Sequence, residues 1–203
     1  MDPEVFRRRI APFRNRVVID IGTGDGLFVY RSALRETDRF FIGVEPDVRS
    51  LEKTSVKTYR DTKESANALF VRATVDDLPQ EFTAIASEAR IHFPWGRLLK
   101  AVGSGEAGVL NGLRRVCEPE AKLLAVLSVD PERDYAELKR LSMPPMTAAH
   151  FDELKELYRA AGFEMRWETK PASSIPSTIE TSWAGRLKHS KSRRLILLSA
   201  VAI

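Results

Sequence analysis

Short apolar runs separated by longer amphipathic stretches recur from about residue 16 to residue 201. The runs at residues 16–21, 40–45, 68–72, 89–93, 122–129, 164–168 and 195–201 are five to eight residues long, and all but 164–168, which carries Met and Trp instead, are rich in Val, Ile, Leu and Phe. That is the pattern of strands buried on both faces. Residues 27–35, 49–59, 106–116 and 148–161 instead carry apolar positions at helical spacing, and the last of these stretches ends at Gly162, the residue type favoured just past a helix. The alternation predicts an α/β fold, a seven-stranded, mostly parallel sheet with helices on both faces. Two proline-containing, polar stretches interrupt it, near residues 131–147 and 171–192. Insertions after late strands are natural places for substrate recognition. The chain shows no internal repeat and no low-complexity tract.

Composition narrows the class. A chain of 203 residues, 43% apolar and 30% charged, suits one globular domain spanning residues 1–203. Cys117 is the sole cysteine, which rules out an intramolecular disulfide and a cysteine metal cage, and His92 and His150 lack any metal-ligand spacing, so no metal is expected. The first nine residues hold no apolar signal core, and the apolar run at residues 195–203 falls far short of the ~20 residues of a membrane span. A cytoplasmic monomer without membrane attachment is the expectation. The net charge of +4 is concentrated: residues 181–203 contain five basic side chains and no acidic one, leaving 27 basic against 28 acidic residues elsewhere. Such asymmetry points to a polyanionic partner.

The most informative stretch is Val17-Val18-Ile19-Asp20-Ile21-Gly22-Thr23-Gly24-Asp25-Gly26, an apolar strand running into a glycine-rich turn before a helix. A dinucleotide fingerprint reads G-x-G-x-x-G, but here Leu27 holds the last position and the glycine comes one residue early. G-x-G-x-G is the spacing of S-adenosylmethionine enzymes. Asp20 would repel a pyrophosphate but can receive the ammonium of a methionine moiety. Glu45, followed by Pro46, ends the second strand, where a carboxylate accepts from ribose hydroxyls. After the third strand, Asp76 is placed to take an adenine amine, with Val75 and Leu78 flanking the ring. Any one of these acids could be a helix cap or a surface carboxylate; three at carboxyl ends of strands read as a ligand site.

The fourth strand runs into His92-Phe93-Pro94-Trp95-Gly96. Methyltransferases that modify exocyclic amines carry an acid or amide here, with two prolines and an aromatic, and that polar residue is absent from the motif. A ring nitrogen with an in-plane lone pair needs no such acceptor, so the motif favours a ring-nitrogen target.

These segments resemble the class I (Rossmann-like) 16S ribosomal RNA adenine-N1 methyltransferases that confer aminoglycoside resistance of the kanamycin and apramycin type. The resemblance runs from about residue 16 onward. It rests on the glycine turn with Phe28-Val29-Tyr30, on Phe41-Ile42-Gly43-Val44-Glu45-Pro46, Asn67-Ala68-Leu69-Phe70-Val71 and Asp76-Asp77-Leu78-Pro79, on Phe93-Pro94-Trp95-Gly96 with Leu98-Leu99, and on Ser182-Trp183-Ala184 with Arg186-Leu187. It implies S-adenosyl-L-methionine as cofactor, with Phe93 beside it, and Trp95 and Trp183 sandwiching a flipped adenine at the catalytic site. It also implies a decoding-site adenine of 16S rRNA in the 30S subunit as the target. Stacking on aromatic faces replaces what a flipped base loses. Core packing is the other reading of any tryptophan; Trp167, within an apparent strand, is assigned to it, whereas Trp183 lies in the polar insertion.

Arg186, Lys188, Lys191, Arg193 and Arg194 follow Trp183 closely and suit phosphate contacts. Arg49, Lys53, Lys57, Arg60 and Lys63 are spaced to form one basic helix face, which a solvated surface would also explain. The resemblance favours RNA. Two departures stand out: only some fifteen residues precede the first strand, where the family carries a hairpin, and Gly185 stands where a basic residue is common. Two alternatives remain at this stage. A tRNA guanine-N7 methyltransferase shares the glycine turn and a Phe-Pro element but continues Asp-Pro-Trp-Pro-Lys, and a non-catalytic RNA-binding module could keep the same fold.

Overall fold

A computed structural model describes residues 2–61, 67–187 and 193–203. Its centre is a seven-stranded sheet in the order β3-β2-β1-β4-β5-β7-β6. The strands are β1 (Val17–Ile21), β2 (Phe40–Val44), β3 (Ala68–Val71), β4 (Ala86–His92), β5 (Cys117–Leu127), β6 (Phe163–Pro171) and β7 (Arg194–Ala202). β1 to β5 pair in parallel, and β7 runs antiparallel between β5 and β6. The helices are α1 (Pro3–Ile10), α2 (Leu27–Arg35), α3 (Val48–Asp61), α4 (Gly96–Ser104), α5 (Ala107–Val116), α6 (Tyr135–Arg140), α7 (Ala148–Ala160) and α8 (Ser182–Leu187).

β1 and β2 are buried at every position, as strands covered on both faces must be. Strand alternation sorts these residues to two sides. Val17, Ile19, Ile21, Phe40, Ile42 and Val44 join the large core with residues of α4, α5 and α7. Val18 and Phe41 join a smaller cluster with Phe28, Val29 and Ala33 of α2. A third cluster sits under the late insertion, where Ala172, Ile175, Ile179, Ala184 and Leu187 pack on Phe93 and Val126. The insertion at 171–187 is therefore seated on the end of β4.

The first residues form a helix. Asp2 caps α1 by accepting from the backbone N–H groups of Glu4 and Val5, and Phe6 packs against Phe82 with ring centroids 5.1 Å apart. β5 begins at Cys117, earlier than the apolar pattern predicts, because Pro119 and Glu120 (φ 63°) interrupt the pattern and the pairing to β4 shifts register there. Trp167 is half-buried and packs against the core, its ring 4.8 Å from that of Phe151. No described helix is long and apolar enough to cross a membrane.

Candidate active site

The order of chain crossings reverses between β1 and β4, and in open α/β sheets ligands bind beyond the carboxyl ends of strands at that point. β1 ends here in the glycine turn. The amides of Gly22 and Thr23 donate to the Val44 carbonyl at 2.9 and 3.0 Å. Gly24 (φ 59°) and Gly26 (φ 72°) both adopt left-handed backbone, costly for any side chain. A Cβ on Gly24 would meet nothing within 4 Å, so this glycine keeps open the space beside the turn. The amide of Gly24 donates to Glu45 Oε2 at 3.0 Å, and Glu45 Oε1 accepts from Asp47 at 3.1 Å.

Two cavities meet at the turn and share Gly22, Gly24 and Phe93. The larger, about 470 Å3, lies between Glu45 and Pro46 after β2, Val75 and Asp76 after β3, and Phe93, Pro94 and Trp95 after β4. Ile21, Val44, Leu98 and Val109 supply further apolar wall. The smaller, about 210 Å3, is lined by Asp20, Thr23, Asp25, His92, Ser182, Trp183 and Arg186 among others. Strand alternation accounts for the pair of cavities: Ile21 and Val44 face one side of the sheet, and Asp20 faces the other.

The two tryptophans predicted to hold a base stand at these cavities and in solvent, Trp95 at 49% and Trp183 at 39% exposure. Trp95 immediately precedes α4, and its placement depends on Phe93, which adopts φ 50°. Left-handed backbone is rare for a bulky residue and disfavoured before proline. It is held by the Phe93 N–H bond to the Val126 carbonyl (2.8 Å) and by burial of the ring under the insertion. Trp183 is placed by α8. Ser182 Oγ donates to Asp25 Oδ2, tying α8 to the glycine turn, and Glu180 just before α8 receives Arg31 and Arg35 of α2, each at 3.1 Å. Arg186 stacks over Trp183 at 5.8 Å.

Other predicted residues have different placements. Asp76 stands at the rim, where Arg97 donates to it at 2.7 Å and holds its carboxyl below the usual carboxylate range. Leu78 does not line either cavity; it is 5% exposed in the main core, because the short turn at Val75–Asp77 directs it inward beneath α5. Arg193 is not free for phosphate: its guanidinium makes a bidentate pair with Asp134 at 2.9 and 3.0 Å and reaches the Ser128 carbonyl at 3.2 Å, so its charge is matched internally. Arg194 is exposed and donates to Thr169. Lys53, Lys57 and Arg60 are exposed along α3, with Lys57 over the Tyr30 ring at 4.7 Å. Lys63, Lys188 and Lys191 lie outside the described residues.

Sequence reasoning missed Leu98, Val109 and Arg97, which α4 and α5 bring to the larger cavity. It also missed His92. The motif reads as lacking a polar residue, yet His92 is a buried side chain lining the smaller cavity, 3.1 Å from Asp20. A histidine at the end of the fourth strand, directly before the Phe-Pro-Trp segment, was the available signal.

The site has the shape and donor set for S-adenosylmethionine. An apolar slot bordered by carboxylates suits an adenosine, and a second pocket with the buried Asp20 suits an ammonium-bearing tail.

Comparison with known proteins agrees. The family profile "NpmA: 16S rRNA (adenine(1408)-N(1))-methyltransferase" matches residues 1–202. The 16S rRNA (adenine(1408)-N(1))-methyltransferase of Escherichia coli is 30% identical over 191 residues, covering 91% of this chain and 86% of the relative. That of Streptoalloteichus hindustanus is 28% identical, covering 88% and 83%. Among solved structures, the aminoglycoside resistance methyltransferase NpmB1 superposes with a TM-score of 0.86 at 39% identity, covering 100% of this chain and 94% of the other. A mutant of the corresponding Catenulisporales acidiphilia enzyme, solved with cosubstrate SAM, superposes with a TM-score of 0.88 at 27% identity, covering 100% and 92%. The profile match over nearly the whole chain, joined to a glycine turn, paired cavities and two exposed tryptophans at their edges, shows that this chain belongs to the 16S rRNA (adenine(1408)-N(1))-methyltransferase family.

Proposed function

We propose that this protein transfers a methyl group from S-adenosylmethionine to N1 of the decoding-site adenine of 16S rRNA in the 30S subunit, and so protects the ribosome from aminoglycosides of the kanamycin and apramycin type. It does so as a cytoplasmic monomer, residues 1–203 acting as one methyltransferase domain with the stretches near 131–147 and 171–192 serving recognition. The observation that carries the reading is the pair of adjoining cavities with Trp95 at the edge of one and Trp183 at the edge of the other. It provides a place for a cofactor and, beside it, two aromatic faces for a base taken out of its stack.

Bound S-adenosylmethionine supplies an electrophilic methyl group on a cationic sulfur. Asp20 receives the ammonium end, Glu45 the ribose hydroxyls, and Val75 packs on the adenine ring, with Asp76 and its partner Arg97 closing the rim. Trp95 and Trp183 hold the target base so that the N1 lone pair meets the methyl carbon. Attack forms the N–C bond as the C–S bond breaks, and the base becomes cationic. An indole face attracts that developing charge. N1 carries no proton, so the step asks for alignment and not for a general base. Arg186 and Arg194, with Lys188 and Lys191, hold phosphates around the flipped nucleotide.

Primer extension on 30S subunits incubated with the protein and cofactor tests this, since a methyl on N1 blocks base pairing. The expected result is a cofactor-dependent stop at the decoding-site adenine that forms much more slowly in Trp95→Ala and Trp183→Ala. Absence of the stop while cofactor still binds would overturn the target and turn attention to tRNA. Equal activity on protein-free rRNA would overturn the assembled subunit as substrate.

A further inference from the structure

The smaller cavity has a polar floor that the protein leaves unmatched. Asp20 Oδ1, Thr23 Oγ1 and both ring nitrogens of His92 are buried without a hydrogen-bond partner among the described residues, and all three residues line this cavity. Buried polar groups are nearly always paired, and each exception asks for a cause. For His92 the fold gives none. Its side chain is 2% exposed and sits edge-on to Phe28, with centroids 4.5 Å apart, a place that a leucine would fill at lower cost. Nδ1 lies 3.1 Å from Asp20 Oδ1, but off the line a ring N–H needs, so the contact leaves hydrogen-bonding capacity on both groups. Among the described residues no lysine or arginine pairs with the Asp20 carboxylate. A buried carboxylate in that state calls for a cationic ligand.

Resting on the cofactor reading above, we propose that His92 is a binding residue for the amino-acid end of the cofactor, its Nε2 accepting one hydrogen bond from the α-ammonium. A neutral ring with its proton on Nδ1, beside the carboxylate, presents Nε2 as an acceptor. Asp20 Oδ1, Thr23 Oγ1 and His92 Nε2 then offer three acceptors on one floor to a group with three N–H donors. The exocyclic amine of a base has two donors and no charge, and matches this floor less well.

Calorimetric titration of the full chain with two cofactor fragments tests the assignment. S-adenosylhomocysteine carries the α-ammonium, and 5′-methylthioadenosine ends at the thioether without it. The His92→Leu variant is expected to bind the former roughly ten- to a hundredfold more weakly, as loss of a hydrogen bond to a charged group does, and the latter as wild type does. His92→Gln, whose amide oxygen reaches the Nε2 position, recovers most of the loss. Thr23→Val keeps the shape, removes a second acceptor and gives the same selective pattern. Variants that bind both ligands as wild type does, or lose both in equal measure, overturn the inference, as does a glutamine that fails to rescue. A wild-type protein that binds methylthioadenosine but gains nothing from the amino-acid end overturns it too. One that binds neither fragment overturns the cofactor reading itself.

Discussion

Trp95 and Trp183 remain half-exposed although indole gains more from burial than most side chains. Their removal therefore leaves the core intact and tests the proposed stacking on a base directly. Trp95→Ala and Trp183→Ala are expected to lower kcat/KM on 30S subunits by roughly ten- to a hundredfold each, since base–aromatic stacking contributes about 1–3 kcal/mol. Thermal melting should stay within a few degrees of wild type; a large fall in Tm would mark either residue as structural. Cys117 is the opposite case. Burial pushes its thiol up to about 12, so the reactive thiolate is absent from the folded protein at ordinary pH. The folded state holds this proton more tightly than the unfolded chain, whose thiol titrates near 9. That contribution to stability is therefore present below pH 9 and is lost as pH rises from there toward 12. Thiol-specific labelling at pH 8 should be negligible in native protein and complete in denaturant; fast native labelling would contradict the burial.

At the scale of elements, much was legible in the sequence, and the reasons for the rest are local. β1 and β2 are apolar at nearly every position because both faces are covered, and Asp20, Glu45 and the glycine turn lie within one or two strand ends of each other in sequence. α8 is only six residues long and contains Gly185, too short for a helical period to show. α4 opens at Gly96, directly after the Phe-Pro-Trp segment, which hides its start. Leu98 and Val109 enter the site through packing between elements, which no local pattern records. Gly112 is such a case: a Cβ there would meet the Val75 carbonyl oxygen at 2.3 Å, so α5 packs directly against the turn that carries Val75 and Asp76. Gly112→Ala should cost about 1–3 kcal/mol of stability, as overpacking against a fixed backbone does, and should weaken S-adenosylhomocysteine binding; unchanged melting and affinity would refute this. Arg193 gives a test of the opposite kind. Because its guanidinium is matched to the buried Asp134, Arg193→Met should destabilise by about 1.5–3 kcal/mol, the worth of hydrogen bonds to a charged group, while Arg194→Met stays within about 0.5 kcal/mol. Loss of RNA affinity without loss of stability in Arg193→Met would instead make it a phosphate ligand.

Over the whole molecule, α2 joins the basic elements into one face. On one flank Tyr30 of α2 donates to Asp61 at 2.7 Å and carries Lys57 of α3 over its ring. On the other, Arg31 and Arg35 hold Glu180, and through it the segment leading to Trp183 and Arg186. The exposed Lys53, Lys57 and Arg60 therefore flank the same helix as the segment that carries Trp183 and Arg186. A polyanion docked at Trp183 would extend across α2 to α3. Each phosphate neutralised releases counterions, and the logarithm of the binding constant falls with the logarithm of salt by about 0.7–0.9 per contact. Replacing Lys53, Lys57 and Arg60 together by alanine should therefore reduce the salt slope for 30S binding by about two units. The same triple variant should bind S-adenosylhomocysteine as wild type does, because α3 adds nothing to either cavity. A slope changed by less than about 0.5, below one phosphate contact, would make the α3 stripe a solvated face and confine the RNA to the elements around Trp183.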